Sequence, residues 1–197
     1  MNTRWQRTMA KLERQKAELV RRIEAWPNEW LTSKSGPAEW SVLEVLDHVR
    51  KTELAVLHSC EQNLKSPTHS VTLDERAKTV ALLAMMRLPV RLRVPEPVSF
   101  VLPDRVFSLQ SVLNAWTTQR LNLRSFLSSL TPNDESVGAV FHPAAGWMDV
   151  RRAMSFLSVH LRHHEYQIQR IEENIRSIWG NGPTVCDLPR VAPHVSD

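Results

Sequence analysis

Glycine is scarce, with 5 residues in a chain of 197. Phosphate cradles built on glycine backbones therefore have almost no raw material, and neither G-x-G-x-x-G nor a Walker loop occurs. Cysteine is scarcer still. Cys60 and Cys186 are far apart and form neither a C-x-x-C pair nor the disulfide framework of a small secreted domain, so a reducing cytoplasm is the expected compartment. Long apolar runs are missing as well. The longest uncharged one, Val80 to Met86, falls far short of the roughly 20 residues that span a bilayer. The first residues, with Arg4, Arg7, Lys11 and Glu13, contain no apolar stretch of the kind a secretory signal needs, so neither export nor membrane attachment is expected. A dense basic block is also lacking. The net charge of +4 is spread along the chain without interleaved aromatics, and nucleic acid is not an expected partner.

What is present suits one soluble globular unit, with 42% apolar and 23% charged residues. A domain over residues 1–180 is expected, followed by a proline-containing extension over 181–197. The apolar spacing predicts an all-α protein. Trp5, Met9, Leu12, Leu19, Ile23 and Trp26 mark a first helix from Asn2 to Trp26, interrupted by Lys16 and ended by Pro27. Ser41 and Glu44 form an S-x-x-E capping box that opens a second helix running to Leu64, with Trp40 and Val45 placed as a hydrophobic staple. Thr72 and Glu75 repeat the box ahead of a shorter helix that Pro89 stops. Pro95, Pro97 and Pro103 then predict an extended crossover over Val90 to Arg105. Leu109, Val112, Trp116, Leu123 and Leu127 restore the helical period in a third long helix, Ser108 to Leu130. After a loop ending at residues 141–146, a fourth is capped by Asp149 and fades near Gly180. Four long amphipathic helices with one long proline-rich connection between helices two and three describe a four-helix bundle, a fold that keeps its sites between facing helices.

Histidine occupies an unexpected face of the last helix. A helix turns about 100° per residue, so His160 and His164 lie about 40° apart on the stripe that also holds Phe156, Leu157 and Ile168. Buried imidazoles need hydrogen bonds or a ligand, and the i, i+4 spacing allows two to share one metal ion. A pair of hydrogen-bonded interior histidines is the competing account. His48, at the margin of the apolar stripe of helix two, is the leading third ligand. Glu53 lies on that stripe, either beside the metal or paired with the core residue Arg120. His163 points about 60° away from His160 and reads as peripheral. The spacings exclude H-E-x-x-H and the Glu-x-x-His of di-iron bundles.

The run Trp40-Ser41-Val42-Leu43-Glu44-Val45-Leu46-Asp47-His48, the loop from His142-Pro143 to Gly146, and the run from His160 to Ile168 together resemble the DinB-like (DinB/YfiT) superfamily. The resemblance extends from helix one to Arg176. It implies a four-helix bundle of unusual connectivity and a divalent metal, nickel or zinc, on His48, His160 and His164, with dimers in some members. Studied relatives are thiol-dependent transferases or isomerases that use glutathione, mycothiol or bacillithiol. The expectation is therefore a cytoplasmic, metal-dependent enzyme that acts on a small molecule by transferring a low-molecular-weight thiol, with a homodimer as a candidate assembly. Arg120 is the candidate partner for a carboxylate of the thiol cosubstrate. Two alternatives stand beside this reading: a metal hydrolase using bound hydroxide, and a non-catalytic bundle that binds metal or a small ligand.

Overall fold

A computed structural model describes residues 2–90, 96–104 and 108–179. Its secondary structure is mostly helical. Helix α1, Thr3–Ile23, begins where Asn2 Oδ1 accepts the Trp5 amide, and it buries Trp5, Met9, Leu12, Lys16, Leu19 and Ile23 along one stripe. A short helix α2, Asn28–Thr32, follows Pro27. Helix α3, Val42–Asn63, opens on the expected capping box: Ser41 Oγ accepts from the Glu44 amide, and Glu44 Oε2 accepts from the Ser41 amide at 2.8 Å. Thr72 and Glu75 build the second box at the start of α4, Leu73–Met85. Each box satisfies amides that have no partner within the helix, an effect of about 1 kcal/mol. Helix α5, Leu109–Ser129, is capped by Ser108, and α6, Val150–Trp179, by Asp149, which accepts the Arg152 amide at 2.8 Å.

Two local expectations are corrected. The segment read as an extended crossover contains a 3-10 helix at Glu96–Val101. The amide donor that proline lacks is missed only where the helix would use it, and the first turn of a helix does not, so Pro97 is accommodated there. Residues 91–95 and 105–107 of the same stretch, and the extension over 181–197, lie outside the described residues. The loop before α6 contains a two-stranded antiparallel hairpin, β1 Val140–His142 and β2 Gly146–Met148, with Val140 opposite Met148 and His142 opposite Gly146. Gly146 has φ +73°, a left-handed conformation that only glycine adopts cheaply, and a Cβ there would come within 2.8 Å of Glu75 Cγ. Glu75 Oε1 also accepts the Trp147 amide at 2.9 Å, which fastens the hairpin to α4.

The long helices α1, α3, α5 and α6 form the bundle, with α3 packed on both α5 and α6 and α1 packed on α6 and α5. Their apolar residues divide into two clusters. One gathers Trp5, Met9 and Leu12 with Val56 and Leu57, Leu123 and Leu127, and Phe156 and Leu157. The other gathers Leu19 and Ile23 with Val42, Val45 and Val49, Trp116, Leu161 and Ile168. The early part of α3 thus meets the later part of α6, so these two helices run antiparallel. Where each helix passes from one cluster to the other it carries buried polar residues: Lys16 on α1, Thr52 and Glu53 on α3, Gln119 and Arg120 on α5, His160 on α6. This polar waist holds the site.

Candidate metal centre

His48 on α3 and His160 and His164 on α6 are brought together at the waist, each at most 7% exposed. His160 Nε2 lies 3.2 Å from His48 Nε2 and 3.2 Å from His164 Nε2. Among the described residues these three form a group able to hold a metal ion, with donor atoms all within 4.8 Å of one another. The outer ring nitrogens settle the tautomers. His48 Nδ1 donates to the Val101 carbonyl at 2.8 Å and His164 Nδ1 to Gln167 Oε1 at 2.8 Å, which leaves both Nε2 atoms as bare lone pairs. Both face His160 Nε2. One proton there could serve only one of them at a time, whereas a cation would serve all three. The donor set therefore fits a divalent ion of borderline softness such as zinc or nickel.

Burial lowers the pKa of all three rings, and for His160 and His164 well below the ordinary histidine value, because the charged form is desolvated and then repelled by the neighbouring imidazoles. The rings are consequently neutral at pH 7, as ligands must be. Aromatic groups enclose them. Trp40 packs on His48 at 4.8 Å between centroids and stacks on His164 at 6.4 Å, while Phe156 lies 5.3 Å from His160. Helix α3 also holds the segment that orients His48. Asp47 Oδ2 accepts the Asp104 amide at 3.0 Å, and Lys51 donates to the Leu102 carbonyl and pairs with Asp104.

The sequence did not single out Val101, Asp47 and Lys51 as supports of the site, because their roles depend on a segment distant in the chain. A helical i, i+4 pair of opposite charges, Asp47 and Lys51, reads in sequence as a solvated face. His163, expected at the periphery, is buried, with its Nδ1 3.1 Å from the Met86 carbonyl and its ring edge-on to His164. The wheel angle that takes it off the α3 contact points it at α4, an element whose packing the helical period does not reveal.

Arg120 stands apart from the histidines. Its Nε and Nη2 donate to the two oxygens of Glu53 at 2.7 and 2.6 Å, and Trp116 Nε1 donates to the same carboxylate at 2.8 Å. Its Nη1 makes no hydrogen bond and lies 3.7 Å from Glu13. The structure thus supplies the ion-pair partner weighed for it from sequence, and Glu53 belongs to Arg120 rather than to the metal group.

The chain is thus a helical bundle with three converging histidines, on its second and last long helices, that are able to hold a metal ion. The DinB superfamily model matches residues 11–168, and the chain belongs to that superfamily. Among solved structures it is similar to YfiT from Bacillus subtilis, described as a probable metal-dependent hydrolase with an unusual four-helix bundle topology, with a TM-score of 0.60, 16% identity and 90% of each chain covered. No curated protein sequence matches the chain.

Proposed function

We propose that the protein is a metal-dependent enzyme whose divalent ion is held by His48, His160 and His164, and that it transfers a low-molecular-weight thiol to a small electrophile. The observation that carries this reading is a converging donor set made of neutral imidazoles without a carboxylate. A divalent cation held by neutral ligands alone keeps its full positive charge, which lowers the pKa of a thiol or water brought to it. The chain's own residues prepare that site. Val101 and Gln167 fix the ring tautomers of His48 and His164, and Trp40 and Phe156 shield the rings from water. A cosubstrate carboxylate is the alternative partner for Arg120, through Nη1, the guanidinium nitrogen that Glu53 does not occupy. Its burial and its pairing with Glu53 favour a structural role.

Hydrolysis is the second reading, favoured by the description of Bacillus subtilis YfiT, which shares the fold. The two separate in one experiment. On the thiol reading, glutathione and mercaptoethanol perturb the visible spectrum of the cobalt-loaded protein and are conjugated to an electrophilic probe, and His160→Ala abolishes both effects. Ester or amide cleavage with no thiol effect on the spectrum would establish the hydrolase instead. Inactivity toward both probe sets, with metal bound, would leave a binding bundle.

A further inference from the structure

Two of the three histidines have their outer nitrogen engaged, and the third does not. His160 Nδ1 is buried and has no hydrogen-bond partner. When the Nε2 of a histidine binds metal, its Nδ1 carries the proton and is almost always given an acceptor, which orients the ring and raises its basicity. His142, the other polar ring beside Phe156, cannot serve. Its Nδ1 already accepts the Ala144 amide, so its Nε2 carries the proton.

A second unpartnered group lies one helical turn from His48 on α3. Thr52 is 7% exposed and its hydroxyl makes no hydrogen bond. Helical threonines elsewhere in this chain turn the hydroxyl back to the carbonyl four residues earlier, as Thr32, Thr79, Thr117 and Thr118 do. Thr52 leaves that bond unmade in the middle of α3. It sits one turn beyond His48, about 40° around the helix, and therefore on the side of α3 that meets α6. Side chains on a helix lean toward its N-terminus. In the antiparallel pair, His160 therefore leans toward the level of Thr52, and Thr52 leans toward the level of His48.

We infer that Thr52 is a positioning residue for His160: its hydroxyl accepts the Nδ1–H of His160 through one bridging water when the metal centre is filled. A water with two such partners in a buried polar site is an ordinary structural element, and it removes both unmet polar groups at once. This inference rests on the metal centre proposed above. It also gives the hydroxyl a cost in the metal-free protein, where an unpaired buried hydroxyl is destabilising.

The test uses the full chain with Thr52→Val, which keeps the shape and removes the hydroxyl, and Thr52→Ser, which keeps the hydroxyl. Zinc affinity is measured by chelator competition, and the thermal midpoint of the metal-free protein alongside it. Thr52→Val is expected to bind zinc about tenfold more weakly while melting at or above the wild-type midpoint. Thr52→Ser is expected to bind like wild type. A purely structural threonine gives Thr52→Val unchanged zinc affinity, and that result overturns the inference. Equal weakening in both variants overturns it too, by assigning the effect to the methyl group. A wild-type protein that binds no zinc in the same titration fails at the metal centre itself, an outcome distinct from a bound metal indifferent to Thr52.

Discussion

The waist of the bundle contains two buried polar groups that differ in how they are compensated. Between α3 and α5, Glu53 meets Arg120 and Trp116 through three hydrogen bonds of 2.6 to 2.8 Å, so a carboxylate and a guanidinium taken out of water neutralise one another. Between α3 and α6, three imidazoles turn the same kind of atom toward one point. Opposite charges at comparable burial complete each other; like lone pairs call for something the chain does not contain. An internally compensated buried network is a structural element, while a convergent one that lacks a counterpart is a candidate binding site.

The largest expected effect breaks the histidine side alone. His160→Ala or His164→Ala should reduce bound metal from about one divalent ion per chain to none by elemental analysis, without lowering the thermal midpoint of the metal-free protein. His48→Ala should do the same, and full retention by that variant alone would move the third ligand elsewhere. Retention by both α6 variants would remove the metal centre.

The converse substitution breaks the ion pair. Arg120→Ala leaves Glu53 buried without its counter-charge, and removal of one partner from such a pair costs about 3–5 kcal/mol, readable in chemical denaturation. Metal content per folded chain should stay at the wild-type level. The double change Glu53→Gln with Arg120→Met should recover much of the loss, since no net charge is left buried. A variant that keeps its stability but weakens glutathione more than mercaptoethanol would instead place Arg120 at the cosubstrate.

Which parts of this contrast were legible in the sequence follows from the range of the interactions. Both capping boxes are contained within four residues, Ser41 to Glu44 and Thr72 to Glu75, and the sequence spelled them out. The long helices and the shared face of His160 and His164 follow from a period that a single helix expresses. His48 was legible through the family resemblance more than through its own position at the edge of a stripe. The 3-10 helix at Glu96–Val101, the hairpin around Gly146 and the burial of His163 against α4 were not legible. Each depends on a contact between segments far apart in the chain, such as Glu75 with the Trp147 amide or His163 with the Met86 carbonyl. For the hairpin the available signal was Gly146, at the end of a His-Pro-Ala-Ala turn. For the pairing of Arg120 with Glu53, complementary charges on two apolar stripes were visible, and only packing could bring them together.

The smallest effect sharpens the contrast through pH. In the metal-free protein, burial holds His48, His160 and His164 below the ordinary histidine pKa, whereas the same side chains in the unfolded chain titrate near about 6.5. Below that value the unfolded chain takes up protons that the folded chain keeps off. Stability is therefore fully present above about pH 6.5 and falls as the pH is lowered through it, by at most about 1.4 kcal/mol per pH unit for each histidine. His163 and His142, also lowered by burial, add in the same direction. Carboxylates with lowered pKa, Glu44, Glu75 and Glu172, contribute their own loss only nearer pH 4.5, while Glu165, raised by burial, opposes the histidines as the pH falls, so the histidine share of the decline from about pH 6.5 to 5 is read from the difference between wild type and His160→Ala. Denaturation measured across that interval should show a decline in wild type and a shallower one in His160→Ala. Loading with zinc should steepen the decline, because protons then compete with the ion for the same nitrogens. A metal-free protein that gains stability on acidification would mean that the cluster accepts protons in the folded state, as a charged pair does, and the distinction between the two halves of the waist would be lost.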